Sequence, residues 1–185
     1  MILGIAGTIG AGKGAVVDYL KEKKGFSHYS SSGILKGILQ ERGVSEIREN
    51  LSKLAEELVS KHEGGILQIS HKYAVESGVQ NYILEAIHRE KEADYIRSLG
   101  GLVLGVDADI RTRYERISKR GEGKKDDVTF EQFVTDSKRE DEGKGEGTPN
   151  INSVIKNADF VIKNNGTLEE LHKQVDEFLE RYGDK

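Results

Sequence analysis

Residues 7–14 read GTIGAGKG, and their glycines and lysine are spaced for binding phosphate groups. The usual pattern is a glycine, four further residues and then Gly-Lys-Ser or Gly-Lys-Thr. Gly7, Gly12 and Lys13 match this pattern, whereas Gly14 occupies the position of the hydroxyl residue. Backbone N–H groups of such a loop converge on an anion, and the lysine reaches the outer phosphates. The segment therefore predicts nucleotide binding, and it raises the question of what replaces the hydroxyl.

The elements around this loop are the ones that phosphate binding requires. The apolar run MILGIAG precedes the loop as a buried strand would, and Val16, Tyr19 and Leu20 recur at helical spacing after it. The helix N-terminus adds partial positive charge at the phosphates. A glycine-rich turn that binds no ligand is the alternative. We expect the phosphates of a donor nucleotide to contact the whole loop, namely Gly7, Thr8, Ile9, Gly10, Ala11, Gly12, Lys13, Gly14 and Ala15.

Three arginines share one face of the helix predicted for DIRTRYERISKR. Arg113, Arg116 and Arg120 are spaced at i, i+3 and i+7, which places them in one row. Positive charge positioned in this way stabilises a phosphoryl group during its transfer. A solvated basic helix face is the alternative for each of them.

A polar segment, 121–127, follows these arginines, and we expect it to begin a mobile lid over about 121–142. Arg139 lies on the far side of this lid and is able to close over the site. A surface salt bridge to the acidic residues at 140–142 is the alternative for Arg139. We expect four cations to act in catalysis: Lys13, Arg116, Arg120 and Arg139.

Carboxylates end two of the predicted strands. Glu85 ends VQNYILEAI, and the pair Asp107 and Asp109 ends LVLGVDAD. Ligands bind at the carboxyl edge of an α/β sheet, and a carboxylate at that edge can hold water molecules of Mg²⁺. Asp107 is an equally good candidate for capping the next helix.

A phosphate acceptor needs a pocket of its own. The region of about 32–75 lies between the second predicted strand, GFSHYS, and the third, and it reads as inserted helices. Lys36 and Arg48 are positive groups of this region, which makes them candidates for binding an anionic ligand. For Arg48, a charged helix surface is the alternative.

Strand and helix signals alternate along all 185 residues, which favours one α/β domain with a parallel sheet covered by helices.

The net charge is -4, so we expect no general nucleic-acid surface. There are no cysteines, which excludes disulfides and thiolate zinc sites. No apolar stretch approaches the length of a membrane span, about 20 residues. The start carries no basic leader, and we expect a cytoplasmic protein that is a monomer or a small homo-oligomer.

The order of these motifs resembles the P-loop kinases of small molecules, in the group of nucleoside monophosphate kinases and dephospho-coenzyme A kinases. GIAGTIGAGKG is similar to the opening of dephospho-coenzyme A kinases, and its Gly-Lys-Gly ending looks like adenylate kinase. HYSSSGILK looks like the adenylate kinase segment His-Ile-Ser-Thr-Gly-Asp-Leu-Leu-Arg. NADFVIKNNGTLEEL is close to the ending of dephospho-coenzyme A kinases. The resemblance implies a P-loop NTPase fold, a three-layer sandwich with a five-stranded parallel sheet in the order 2-3-1-4-5.

The resemblance also implies a set of functional residues. It implies ATP as the donor, Mg²⁺ as the metal and a small-molecule phosphate acceptor. ILEAIHREKEADYI resembles a strand of deoxynucleotide monophosphate kinases, and on that match Glu85 is the acid that holds Mg²⁺ through water. In the turn NNGT, Asn165 and Gly166 match the loop that contacts the donor base. The resemblance further implies that the inserted helices at about 32–75 bind the acceptor. The implied acceptor-binding residues are Ser30, Ser31, Lys36, Arg48 and Glu85, with His88 or Arg89 at the position of the family's arginine.

Two departures leave the acceptor open. Ser30, Ser31 and Ser32 stand where dephospho-coenzyme A kinases carry Asp-Ala-Asp, and the Phe-Pro-Arg of adenylate kinases is absent. The leading hypothesis is an ATP-dependent kinase of a nucleotide or nucleotide-like monophosphate, with dephospho-coenzyme A kinase as an alternative. An NTPase switch in RNA or ribosome assembly is a rival of another class. A nucleotide-binding module without catalysis is the third hypothesis.

Overall fold

A parallel β-sheet forms the centre of the computed structural model, which describes residues 1–62, 64–120, 128–142 and 150–183. Its strands are β1 (Ile2–Gly7), β2 (Ser27–Ser30), β3 (Tyr82–Ile87), β4 (Leu102–Asp107) and β5 (Phe160–Lys163). They lie in the order β2-β3-β1-β4-β5, and every neighbouring pair is parallel. The predicted sheet is therefore confirmed. Because β1 is the central strand, the loop that follows it lies at the middle of the carboxyl edge.

Helices cover both faces of this sheet. They are α1 (Lys13–Lys24), α2 (Ser31–Glu41), α3 (Arg48–Lys61), α4 (Gly65–Glu76), α5 (Glu90–Ser98), α6 (Ile110–Arg120), α7 (Phe130–Glu142), α8 (Ile151–Lys156) and α9 (Leu168–Tyr182). The six-residue helix α8 was not predicted from the sequence. The side chain of Asn150 starts it by accepting a hydrogen bond from the Ser153 N–H at 3.0 Å.

Alternating side chains of the central strand point into two separate cores. Leu3 and Ile5 face α1 and α9, and they pack with residues such as Leu20 and Phe178. Ala6 belongs to the opposite core, which α4, α5 and α8 complete. A strand that is buried on both faces is typical of a parallel sheet between two helical layers. The three layers hold the carboxyl edge of the sheet in a fixed geometry.

The helices α2, α3 and α4 are inserted between β2 and β3 and carry a small core of their own. Leu35 and Leu39 of α2 pack against Leu54 and Leu58 of α3, and all four side chains are buried. The region expected to bind an acceptor at about 32–75 is therefore helical in the structure.

The predicted lid falls only partly on described residues, because 121–127 lie outside them. Its second half is α7, a helix that buries Phe133 and Ser137 against the rest of the domain. Among the residues that the structure describes, no helix is long and apolar enough to cross a membrane.

Candidate functional site

The loop between β1 and α1 borders a cleft of about 390 Å³ at the carboxyl edge of the sheet. Gly10 and Gly12 adopt positive φ angles of 78° and 98°, a conformation that favours glycine. A hydrogen bond from the Ala11 N–H to the Thr8 carbonyl, 3.1 Å long, closes the turn. Gly12 is the N-cap of α1, so the first amides of that helix open toward the cleft.

Lys13 lies along the loop rather than extending into solvent. Its Nζ donates a hydrogen bond to the Gly7 carbonyl at 2.7 Å. A Cβ atom at position 7 would approach the Lys13 side chain to 2.8 Å, so the glycine allows this close approach. The ammonium group is therefore held at the mouth of the loop.

Gly14 differs from the other loop glycines because its surroundings are open. A Cβ atom built at Gly14 meets nothing within 4 Å. There is therefore space at position 14 for a side chain that carries a hydroxyl. The nearby hydroxyl of Thr8 is buried, at 2% exposure, and has no hydrogen-bond partner in the described part of the chain.

Glu85 reaches the same cleft from β3. Its Oε2 lies 2.8 Å from Nε2 of His28, which comes from the neighbouring strand β2. This hydrogen bond lowers the pKa of the Glu85 carboxyl, against the effect of burial, and the charges of Lys13 and His88 lower it further. Glu85 is therefore an ionised carboxylate at the edge of the cleft. His28 was not identified from the sequence.

The arginine row of α6 faces the loop. Arg113 is 6% exposed, and its Nη1 donates to the Ile9 carbonyl at 3.5 Å. Arg116 donates from Nη1 to the Ala11 carbonyl, also at 3.5 Å, and Arg120 lines the cleft. The solvated face considered as an alternative is therefore wrong for Arg113, which packs against the loop. Arg139 belongs to α7, and its side chain lies outside the described residues.

The NNGT turn after β5 joins the loop from the other side. Asn164 is 6% exposed, and its Nδ2 donates to the Ala11 carbonyl at 2.8 Å. Asn165 accepts a hydrogen bond from the Asp109 N–H at 2.8 Å through its Oδ1. Gly166 follows and leads into α9, which Thr167 caps. Asn164 was not among the site residues identified from the sequence.

The two remaining acids take up other contacts. Asp107 accepts a hydrogen bond from Nζ of Lys163 at 2.6 Å, and the backbone N–H of Asp109 donates to Asn165 Oδ1. Among the described residues, no group of three or more His, Asp or Glu side chains is arranged to hold a metal ion. Glu85 lines the loop cleft, whereas Asp107 and Asp109 are not among its lining residues.

Of the residues expected to bind the acceptor, Glu85 lines this cleft, whereas the others are not among its lining residues. Ser30 caps α2 by accepting a hydrogen bond from the Gly33 N–H at 3.0 Å, and Ser31 is the first residue of that helix. Lys36 lies 3.9 Å from Glu46, and Arg48 begins α3 as an exposed residue.

The last two of these residues, His88 and Arg89, lie where β3 leads into α5. Their backbone N–H groups both donate to Glu92 Oε2, at 2.7 and 3.1 Å. The Arg89 guanidinium also pairs with Glu92, at 2.9 Å. Arg89 borders a second cleft of about 670 Å³ between α3, α4 and α5. These contacts give both residues a role in starting α5, which is compatible with a further role in binding.

The family profile described as an AAA domain matches residues 3–144. The chain belongs to this family. A UPF0200 protein of Hyperthermus butylicus is 29% identical over 183 residues, which cover 98% of this chain and 94% of the relative. A UPF0200 protein of Methanothermobacter thermautotrophicus is 27% identical over 195 residues, covering 100% and 92%.

Solved structures resemble this AAA domain over nearly its whole length. TT1252 from Thermus thermophilus has a TM-score of 0.61 at 19% identity, covering 98% of this chain and 97% of that structure. A shikimate kinase from Bacteroides thetaiotaomicron has a TM-score of 0.58 at 11% identity, covering 99% and 98%. Dephospho-CoA kinase from Campylobacter jejuni has a TM-score of 0.56 at 16% identity, covering 97% and 96%. These likenesses show a P-loop kinase-like fold.

The loop of this AAA domain offers groups that suit the phosphates of a nucleoside triphosphate. The loop glycines leave the backbone open to close approach, and the space at Gly14 is large enough for a phosphate oxygen or a metal-bound water. The unpartnered Thr8 hydroxyl is a further polar group beside the cleft. Lys13, Arg116 and Arg120 supply positive charge, and Glu85 supplies a single carboxylate.

Proposed function

We propose that this AAA domain transfers the terminal phosphoryl group of ATP to a nucleotide or nucleotide-like monophosphate. The observation that carries the proposal is one cleft that gathers the loop, Lys13, Glu85, Arg116 and Arg120. Phosphoryl transfer needs positioning and positive charge around the moving group, with little covalent chemistry by the protein. The cleft supplies both requirements at the carboxyl edge of the sheet, where α/β proteins bind their ligands.

In the proposed reaction, an oxygen of the acceptor's phosphate forms a bond to the terminal phosphorus of ATP. The bond from that phosphorus to its bridging oxygen breaks, and the electron pair leaves on ADP. The acceptor becomes a diphosphate, so atoms and charge balance without any other reactant. Loop amides and the start of α1 hold the donor's phosphates, because their N–H groups have no partner within the helix.

The cations of the site have separate tasks in this proposal. Lys13 binds the outer phosphates and exchanges its hydrogen bond to the Gly7 carbonyl for a phosphate oxygen. Arg116 and Arg120 also line the cleft and stabilise the charge that spreads over the phosphoryl oxygens during transfer. Arg139 is a further candidate on the predicted lid. Asn165 and Gly166 contact the donor base.

Glu85 is the residue that we propose for holding Mg²⁺ through water. Mg²⁺ keeps several of its waters in proteins, so a carboxylate that fixes those waters compensates for the missing hydroxyl at Gly14. The hydrogen bond from His28 keeps Glu85 ionised and fixes its orientation. When bound, Mg²⁺ supplies charge neutralisation between the donor phosphates.

The acceptor side rests on the helical insert. Ser30, Ser31, Lys36 and Arg48 belong to the insert or its border, and His88 and Arg89 lie at the facing end of β3. We propose that a subset of these groups binds the acceptor's phosphate. The predicted lid, about 121–142, closes over the donor in the same proposal.

The experiment that tests this function measures ADP release with a panel of acceptors. The panel contains nucleoside and deoxynucleoside monophosphates, dephospho-coenzyme A, shikimate, structured RNA and a blank, each with ATP and Mg²⁺. We expect one monophosphate to stimulate ADP release, with one phosphorylated acceptor formed for each ADP released. We expect Lys13→Ala to abolish this stimulated ADP release. Stimulation by dephospho-coenzyme A or shikimate would change the acceptor class. ADP release that only RNA stimulates, or that no acceptor changes, would overturn the proposal.

A further inference from the structure

Asn164 is a buried polar residue that the proposed mechanism does not yet use. It directly follows β5, and its backbone N–H donates to the Asp107 carbonyl at 2.7 Å. With 6% of its surface exposed, the side chain is held between the phosphate loop and α6. Burying an amide costs free energy unless its donor and acceptor groups form hydrogen bonds, so the Asn164 side chain needs a partner for each.

Both ends of the Asn164 amide are engaged by functional elements. Nδ2 donates to the Ala11 carbonyl at 2.8 Å, and Oδ1 accepts a hydrogen bond from Arg116 Nη2 at 3.3 Å. Arg116 also donates to the same Ala11 carbonyl, at 3.5 Å. The three residues therefore form a closed set of contacts between the loop, α6 and the end of β5.

The partners dictate the orientation of this amide. A backbone carbonyl only accepts hydrogen bonds, and a guanidinium only donates them. Nδ2 must therefore face Ala11, and Oδ1 must face Arg116. A side chain with one donor and one acceptor, about this size, satisfies both. Aspartate retains the acceptor and loses the donor, whereas alanine loses both.

Gly12 provides a second, independent sign that Asn164 fits closely against the loop. A Cβ atom at Gly12 would collide with the Asn164 amide nitrogen. Gly12 is the N-cap of α1, where the proposed donor phosphates bind. The loop thus leaves room for Asn164 at the residue that starts the phosphate-binding helix.

We propose that Asn164 is a positioning residue, which holds the phosphate loop and Arg116 in the geometry required for phosphoryl transfer. The inference rests on the proposed function. Asn164 acts through Ala11 and Arg116 and touches no reacting atom. Because Asn165 and Gly166 follow it directly, Asn164 also connects the turn proposed to contact the donor base with the loop that binds the phosphates.

Two substitutions separate the two hydrogen bonds. Asn164→Asp keeps an oxygen for Arg116 but places a carboxylate against the Ala11 carbonyl, so we expect affinity for a non-hydrolysable ATP analogue to fall on the order of tenfold or more. Asn164→Ala removes both contacts, and we expect kcat to fall on the order of 10²-fold through the loss of Arg116 positioning. Asn157→Ala is the control, because that side chain bonds Glu90 instead, at 2.9 Å.

A double-mutant cycle with Arg116→Ala separates positioning from a merely structural role. If Asn164 acts through Arg116, the effects of Asn164→Ala and Arg116→Ala on kcat will be strongly non-additive, with melting temperatures close to that of the wild type. Additive effects on kcat would overturn the inference. The inference would also be overturned if both Asn164 variants had the same analogue affinity and kcat as the wild type. Failure of both variants to fold would overturn it as well, because that result would show a structural role alone. A wild-type protein that binds no ATP analogue would instead overturn the proposed function itself.

Discussion

The phosphate loop and the helical insert differ in how their polar side chains are held. Around the loop, hydrogen bonds join segments that are far apart in the chain, such as Asn164 to Ala11 and Glu85 to His28. In the insert, charged side chains mostly pair with near neighbours, as in the contact between Lys61 and Glu57 at 2.8 Å. The proposed donor side is therefore built into the sheet and its edge, whereas the proposed acceptor side presents surface charges on helices.

This difference has a consequence for function. Groups fixed by long-range contacts are preorganised, and preorganised charge stabilises a transition state without reorganisation cost. Substitution of an exposed charged residue on a helix has a small energetic effect, because solvent screens its charge. We therefore expect substitutions at the loop to change donor binding and turnover strongly, and substitutions in the insert to change acceptor affinity moderately.

The largest expected effect is that of Lys13→Ala. Loss of the ammonium group should lower phosphoryl transfer on the order of 10²-fold or more while the fold is retained, because the charge acts on the transition state. Turnover and circular dichroism together check this. Lys23→Ala is the matched control, since Lys23 is an exposed lysine of the same helix. Equal turnover in wild type and folded Lys13→Ala would contradict a donor site at the loop.

Two glycines of the loop should respond in opposite directions. Gly12→Ala forces a Cβ into a residue with φ of 98° and against Asn164, so it should destabilise the protein by about 1–3 kcal/mol and weaken nucleotide binding. Gly14→Ala lies in a helix with open space around it, so it should stabilise by about 0.4–1 kcal/mol. Chemical denaturation of both variants measures the difference. Similar costs at the two positions would show that the loop does not fit closely against the turn after β5.

Glu85→Gln should change the metal requirement more than nucleotide binding. The amide keeps the shape but loses the charge that we propose to fix metal-bound water, so the Mg²⁺ concentration for half-maximal activity should rise on the order of tenfold. Affinity for ATP in the presence of a chelator should change little. Gly14→Ser offers the opposite test, because a hydroxyl there should lower the Mg²⁺ requirement. Superimposable Mg²⁺ titrations for wild type and Glu85→Gln would exclude Glu85 as the compensating group.

In the insert, Lys36→Ala and Arg48→Ala should raise KM for the acceptor by up to about tenfold, as expected for uniform binding contacts. Both side chains are exposed and lie outside the residues that line the loop cleft, so affinity for the ATP analogue should stay the same. Steady-state kinetics with the acceptor found in the panel, together with analogue titration, separate the two sides. A fall in analogue affinity would show that the insert contributes to the donor site.

Glu57 should show the smallest effect. Hydrogen bonds from Lys61 and Arg42 lower the pKa of this exposed carboxyl below its usual 4.5. Its contribution to stability is therefore present above about pH 4.5 and is lost as the pH falls through the lowered pKa. We expect Glu57→Gln to lower the melting temperature by less than about 2 °C at pH 7, and the difference should shrink as the pH is lowered below 4.5. A larger shift would show that ion pairs hold the insert together.

The sequence predicted the sheet and the loop because both follow from local patterns. Strand order followed from the family resemblance, and the glycine spacing located the loop. Asn164 and His28 were missed because their contacts depend on which strands are neighbours. Asn164 meets Ala11 across 153 positions of the chain. The burial of Arg113 was missed for a similar reason, since the helical pattern cannot show that α6 packs against the loop.

The short helix α8 was not predicted for a different reason. Its six residues are too few for a helical period to emerge, and its start depends on the side chain of Asn150. Several predicted acceptor residues were found in capping and ion-pair contacts, which shows that a motif match gives residue type and position but not the partner that a side chain selects in the fold.

We propose that GTIGAGKG binds the phosphates of a nucleotide although it lacks the hydroxyl. Calorimetric titration of ATP in the presence of a chelator, into wild type and Lys13→Ala, tests it most directly. We expect measurable binding to the wild type without Mg²⁺, because the amides, the helix N-terminus and Lys13 do not depend on the metal. We also expect a loss of affinity on the order of tenfold or more in Lys13→Ala. No binding of ATP to the wild type, with or without Mg²⁺, would contradict it.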